Sequence, residues 1–209
     1  MDPLSKLFEG VVKTKGWKVE VPNFGRMELA TLFKEMGFKV GVEVGTERGL
    51  YAKVLCERNP GVKLYCVDPW TEYDDYHDFT GKMEDNYQET KKRLAPFNCE
   101  LVRKFSLEAV KDFKDNSLDF VYIDGNHNLK NVVADLVEWT KKVRPGGIVS
   151  GHDYYEPAHE SDHHVVAAVL AYVRSYFINP LFILGRRRGQ TGEVRDGRRS
   201  WMFVKGKSL

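Results

Sequence analysis

The sequence predicts an open, doubly wound α/β sheet. Three observations carry that prediction. Short apolar runs of strand length alternate with longer runs of helical spacing along most of the chain. One such run, Val40–Val44, passes through a glycine turn into a helix-like stretch, reading VGVEVGTERGLYAKVLCERN. Four of the runs end in polar residues, where sheets of this kind keep their ligands.

Residues 1–25 mix Trp17, Pro22 and Phe24 with lysines, and predict a cap or lid segment ahead of a single domain over 26–209. Arg26–Met36 places Met27, Leu29, Ala30, Leu32, Phe33 and Met36 at helical spacing, and Gly37 ends it. The first strand is Lys39–Val44. After the glycine turn, Leu50–Arg58 is helical until Asn59-Pro60-Gly61 breaks it. Val62–Val67 is the second strand and closes on Asp68. Thr71–Phe79 is acidic and aromatic, a loop over the sheet edge, and Lys82–Leu94 is a charged surface helix. Cys99–Arg103 is the third strand. Ser106 is placed to cap a helix over Leu107–Phe113.

Leu118–Ile123 is an almost unbroken apolar run, as a buried parallel strand requires, and it delivers Asp124-Gly125-Asn126-His127. Asn128–Val143 is a helix with Val132, Val133, Leu136 and Val137 on one face. Arg144-Pro145-Gly146-Gly147 reads as a turn before a short fifth strand, Ile148–Ser150, which leads to His152-Asp153. Ser161 or Asp162 starts the last helix, Val165–Phe177. Leu181–Leu184 and Trp201–Val204 are closing strands around an arginine-rich hairpin loop, Gly185–Ser200.

A length of 209 residues suits one domain with a full core. A net charge of +2 is too small to argue for nucleic acid or a membrane. Cys56, Cys66 and Cys99 form no C-x-x-C pair and read as reduced thiols of a cytoplasmic protein. The start MDPLSKLFEG lacks the layout of a signal peptide, and no apolar run approaches the ~20 residues that span a bilayer.

The glycine turn narrows the ligand. Gly45-Thr46-Glu47-Arg48-Gly49 lacks the middle glycine of a dinucleotide loop and carries a carboxylate that repels phosphate; no G-K-[ST] follows. An adenosyl compound with positive charge and no phosphate, such as S-adenosylmethionine (SAM), tolerates Glu43 and Glu47. Asp68, about 19 residues beyond Gly49, suits two ribose hydroxyls. Pro69-Trp70 offers a flat face near the base. Alone, the turn fits an ordinary α/β protein equally well. The strand ends Glu43–Glu47, Asp68, Asp124 with His127 and His152 with Asp153 together favour a Rossmann-like ligand site.

The segment VYIDGNHNLKNVVADLVEWTKKVRPGGIVSGHDY and the motif order over about residues 40–155 resemble class I SAM-dependent methyltransferases. More narrowly, they resemble the macrocin and cephalosporin-biosynthesis type of small-molecule O-methyltransferase, a metal-assisted group. That resemblance implies a seven-stranded, mostly parallel sheet with an antiparallel last strand. It implies SAM held at Glu43, Gly45, Thr46, Gly49, Asp68 and Asp124, with Phe105 and Ser106 flanking adenine. It also implies a general base at His127 and a divalent cation, Mg²⁺ or another, on Asp124 and an adjacent acidic pair, here His152 and Asp153. The histidine in place of an acid either removes the cation or shifts the preference toward one that accepts nitrogen. The acceptor is then a small hydroxylated molecule, a sugar or natural product.

Two other readings compete. Arg186, Arg187, Arg188, Arg195, Arg198 and Arg199 could grip the phosphates of a nucleic-acid substrate. A SAM-binding scaffold without turnover is the other. His152, His159, His163 and His164, with Glu156 and Asp162, make a dense polar cluster that matches no common structural-zinc spacing. The acceptor, the metal and the oligomeric state, a homo-oligomer included, stay open.

Overall fold

The computed structural model describes residue 4 and residues 16–72, 82–155, 163–185 and 198–207. Within them, one sheet contains β1 (Lys18–Val21), β2 (Val40–Val44), β3 (Lys63–Val67), β4 (Cys99–Val102), β5 (Leu118–Ile123), β6 (Val143–Gly151), β7 (Leu181–Leu184) and β8 (Ser200–Val204). The order across the sheet is β1-β7-β8-β6-β5-β2-β3-β4. All neighbouring pairs are parallel except those of β8, which runs antiparallel to β6 and β7. The class and the antiparallel last strand are as expected. The count is corrected from seven strands to eight.

The helices are α1 (Arg26–Glu35), α2 (Leu50–Arg58), α3 (Met83–Leu94), α4 (Ser106–Ala109), α5 (Leu129–Lys142) and α6 (Val165–Ser175). Side chains of a strand alternate between its two faces. On β5, Phe120 and Tyr122 pack with Leu29, Phe33 and Leu55 of α1 and α2. Val121 and Ile123 pack with Leu136 and Trp139 of α5 and Val169 of α6. The sheet is therefore covered on both faces, as its apolar central strands demand.

The added strand comes from the segment expected to be a cap. Lys18–Val21 pairs with β7 at the sheet edge, Lys18 opposite Leu181 and Val21 opposite Leu184. A second correction concerns Arg144–Gly147. These residues lie within β6 rather than in a turn before it. The register jumps there: Leu118 faces Val143, but Phe120 faces Ile148. Gly147 is required at this kink, since a Cβ would stand 2.4 Å from the Asp119 carbonyl oxygen. A third concerns Ser106, which is the first residue of α4 and makes no side-chain cap; a 3-10 turn, Val110–Asp112, follows. Asn128 does cap α5, its Oδ1 accepting from the Asn131 N–H at 3.0 Å.

The strand order reverses between β2 and β5. From β2 the chain winds outward to β3 and β4; from β5 it winds the other way to β6. The crevice at this switch point, beyond the carboxyl ends of the strands, is where such a sheet can bind a ligand. No helix among the described residues is long and apolar enough to cross a membrane.

Candidate active site

A cleft of about 390 Å³ opens at that switch point. Its walls include Gly45, Asp68, Phe105, Ser106, Asp124 and His127, with His152 and Asp153 at one end. The ends of β2, β3, β5 and β6 and the start of α4 thus converge on one space.

The turn after β2 is built on two glycines in the left-handed region. Gly45 has φ 86° and touches the end of β5, where a Cβ would stand 2.0 Å from the Asp124 carbonyl oxygen. Only glycine fits that approach without moving backbone. Gly49, φ 68°, begins α2 and packs against Thr90 and Leu94 of α3, set back from the cleft.

Asp68 ties the turn to β3. Its Oδ2 accepts the Glu47 N–H at 2.8 Å and its Oδ1 the Trp70 N–H at 2.7 Å. A carboxylate has about four acceptor positions, so each oxygen keeps capacity for a ligand hydroxyl. Burial pushes its pKa up, and the two N–H bonds oppose that. Trp70 is not the flat face expected from sequence. It is buried, lies against Tyr87, and donates Nε1–H to the Glu47 carbonyl at 2.7 Å. Pro69 alone of that pair lines the cleft.

Glu43 lies beneath the turn at 2% exposure, and its Oε2 has no hydrogen-bond partner. Burial drives its pKa well above the carboxylate range; Thr46 lowers it, while Asp124 and Asp68 push it further up. Thr46 is also buried, with its hydroxyl beside the Glu43 carboxyl. Glu47 stands in the cleft wall, raised by burial and by Asp68. Together the turn is a place for positive charge and hydrogen-bond donors.

At the other end, charged groups crowd together. His127 Nε2 is 3.1 Å from Asp153 Oδ2 and 3.9 Å from Asp124 Oδ1. His152 Nδ1 is 3.2 Å from Asp153 Oδ2 and 3.7 Å from Asp124 Oδ1. Asp153 is 3% exposed and held at φ 57°, a conformation that aspartate tolerates better than most residues. Arg198 Nη1 reaches its Oδ1 at 3.3 Å, and His163 Nε2 lies 3.9 Å away. Burial would raise Asp153, but His127 and His152 hold it below the usual carboxylate range. Burial would lower His127, but Asp124 and Asp153 lift it to about 9. That departs from the near-neutral value of a free imidazole. Burial and the charge of His127 keep His163 low.

A family model described as a methyltransferase domain matches residues 42–154, more than half of the chain. The chain belongs to this methyltransferase family. The methyltransferase domain is also similar to solved structures. An O-methyltransferase, TomG of Streptomyces achromogenes, described as involved in tomaymycin synthesis and in complex with SAM, aligns at TM-score 0.61 and 16% identity, over 87% of this chain and 79% of that one. An O-methyltransferase of Bacillus cereus in complex with SAH aligns at TM-score 0.60 and 16% identity, over 86% and 80%. An rRNA methylase of Streptococcus thermophilus aligns at TM-score 0.58 and 12% identity, over 87% and 97%. At these identities the likeness shows the fold. An uncharacterized protein of Sinorhizobium fredii is 30% identical over 122 residues, 54% of this chain but 13% of that protein, so the chain spans a small part of this relative's length.

Ser106, expected beside adenine, does line the cleft of the methyltransferase domain, with its hydroxyl engaged. It bonds Asp135 and accepts Trp139 Nε1–H at 2.8 Å. Phe105 and Leu107 are exposed and give the cleft an apolar wall. Asp135 is the site residue that sequence reading passed over. It is 3% exposed, lines the cleft from α5, and burial lifts its pKa to about 7 against the pull of Ser106. The signal was present: a carboxylate between Val132 and Leu136, inside the apolar stripe of an amphipathic helix. Arg186, Arg187, Arg188 and Arg195 of the arginine-rich loop lie outside the described residues. So do His159, Glu156 and Asp162 of the polar cluster, both expected starts of the last helix, Ser161 and Asp162, and most of the acidic loop Thr71–Phe79.

Proposed function

We propose that the domain transfers the methyl group of SAM to a hydroxyl of a small molecule. The reading rests on one observation: a single cleft joins the glycine turn, Asp68 and the Asp124–His127–Asp153 cluster. The turn suits SAM on structural grounds. Glu43, buried beneath the turn with Oε2 unpartnered, offers an acceptor toward the ammonium end of the methionine moiety. Asp68 has acceptor capacity for the ribose, and Phe105, Leu107 and Pro69 offer apolar surface for the base.

Methyl transfer needs the acceptor oxygen in line with the sulfonium carbon, so most of the gain is positioning. The oxygen attacks the methyl carbon, the carbon–sulfur bond breaks toward sulfur, and S-adenosylhomocysteine leaves. The hydroxyl proton goes to His127, which borders the cleft between Asp124 and Asp153; because those carboxylates lift its pKa to about 9, the ring accepts that proton only in its neutral form, whose share grows as pH rises. Asp124, His152 and Asp153 each offer a donor atom within 4.8 Å of the others and would hold a divalent cation. Such an ion supplies a lowered pKa for the bound hydroxyl and positive charge that offsets the two carboxylates facing His127.

Calorimetry tests the cofactor half. SAM should bind at one site, and Asp68→Ala should weaken it by about tenfold or more, the loss expected of two charge-assisted hydrogen bonds. No heat with SAM, or an unchanged constant in D68A, sinks the reading.

A further inference from the structure

The three cysteines stand far apart in sequence, but the fold gathers them. Cys56 leaves the last turn of α2, Cys66 lies on β3, and Cys99 opens β4. β3 and β4 are neighbours, with Leu64 opposite Cys99 and Cys66 opposite Leu101. Both thiols therefore project from one face as a diagonal pair. That is the face covered by α2, and all three side chains pack in its apolar core.

Cys56 Sγ lies 3.2 Å from Cys99 Sγ. A disulfide bond is about 2.05 Å long, so about 1.2 Å separates contact from bond. The two residues sit in the last turn of a helix and at the first position of a strand, next to the connections 59–62 and 95–98. A second cavity, about 280 Å³, opens at this point and is lined by Cys56, Asn59, Val62, Phe97 and Asn98. Cys99 is itself partly exposed, whereas Cys56 and Cys66 are buried. Cys56 and Cys66, with Lys63, hold the Cys99 thiol below the usual range against the pull of burial.

We propose that Cys56 and Cys99 form an oxidation-sensitive dithiol that closes to an intramolecular disulfide under hydrogen peroxide, while Cys66 stays a thiol. The Cys99 sulfur attacks the peroxide oxygen, the O–O bond breaks, and Cys99 sulfenic acid and one water form. The Cys56 sulfur then attacks the Cys99 sulfur, the S–O bond breaks, and the hydroxide leaves with the Cys56 proton as a second water. The pair loses two electrons and two protons, and the peroxide is reduced to two waters. A dithiol reductant reverses it. In a reducing compartment such bonds are transient and redox-sensing. This inference stands apart from the methyltransferase reading, since it needs no cofactor.

The test uses the full chain, treated with hydrogen peroxide, denatured, alkylated and digested for mass spectrometry. The expected result is alkylation at Cys66 alone, a linked peptide pair carrying Cys56 and Cys99, and recovery of all three thiols after dithiothreitol. Cys56→Ser should instead leave a sulfenic acid on Cys99, trapped by dimedone; if C56S does not fold, the wild-type map still decides. Full alkylation of Cys56 and Cys99 after peroxide overturns the proposal. So does a link through Cys66 or between two chains.

Discussion

Asp135 carries a carboxyl that burial holds at about 7, while the same group in an unfolded chain titrates near 3.9. Between those values the native state keeps a proton that the unfolded state has lost. The group's contribution to stability is therefore complete below pH about 4, declines as pH rises, and is gone above pH about 7. The span corresponds to about 4 kcal/mol, to order of magnitude. Glu43 is raised in the same direction, so the diagnostic quantity is a difference. Asp135→Asn keeps an acceptor for the Ser106 hydroxyl and cannot ionise. Its melting temperature should change less than that of the wild type between pH 4 and pH 7, and parallel curves would refute this account. Gly45 offers a second residue-level test. Gly45→Ala places a methyl 2.0 Å from the Asp124 carbonyl oxygen on a backbone at φ 86°. Urea denaturation should show a loss of more than about 1 kcal/mol, since both the conformation and the space exclude it.

At the scale of elements, the cleft depends on how neighbouring loops are bound to each other. The Glu47 carbonyl accepts from Trp70 Nε1 on one side and from Thr90 Oγ1 of α3, at 2.8 Å, on the other. The turn after β2, the loop after β3 and α3 are thus one unit. Trp70→Phe retains the ring against Tyr87 and loses the donor. It should cost about 0.5–1.5 kcal/mol of stability and weaken SAM several-fold in calorimetry. Unchanged affinity would show that the turn holds its shape without the tie. Strand β5 was legible because burial on both faces writes a nearly continuous apolar run, and β2 and β3 because short apolar runs end there at a glycine turn and at Asp68. Edge strand β1 was not: only Val21 of KVEV is buried, and its partner β7 lies across the whole chain. The polar strand ends Asp68, Asp124, His127 and Asp153 were legible because each follows an apolar run. Trp70 and Ser106 were misread because a ring or a hydroxyl can turn inward or outward from the same position. The cysteines read as scattered because strand order, which joins them, is not written locally.

At the scale of the whole molecule, the cleft exists only while the sheet is assembled, since β2, β3, β5 and β6 each supply part of it. A cofactor that binds there binds the folded chain and not the unfolded one, and must stabilise it by mass action. At a hundredfold excess over its dissociation constant, SAM adds about 2.7 kcal/mol. For a chain of this length, each kcal/mol moves the melting temperature by about 2–4 °C, so the rise should be roughly 5–11 °C. The charge of the cleft sets the selectivity. Glu47, Asp68, Asp124 and Asp153 line it, and of the lysines and arginines among the described residues only Arg198 does. A sulfonium with an ammonium suits such walls, while a triphosphate is repelled by them. ATP at the same concentration should therefore leave the melting temperature within about 1 °C of the free protein, because repulsion among like charges offsets the contacts that its adenosine shares with SAM. Equal shifts with both ligands would mean that the carboxylates do not govern the cleft, and a shift with ATP alone would return the turn to the phosphate-binding class.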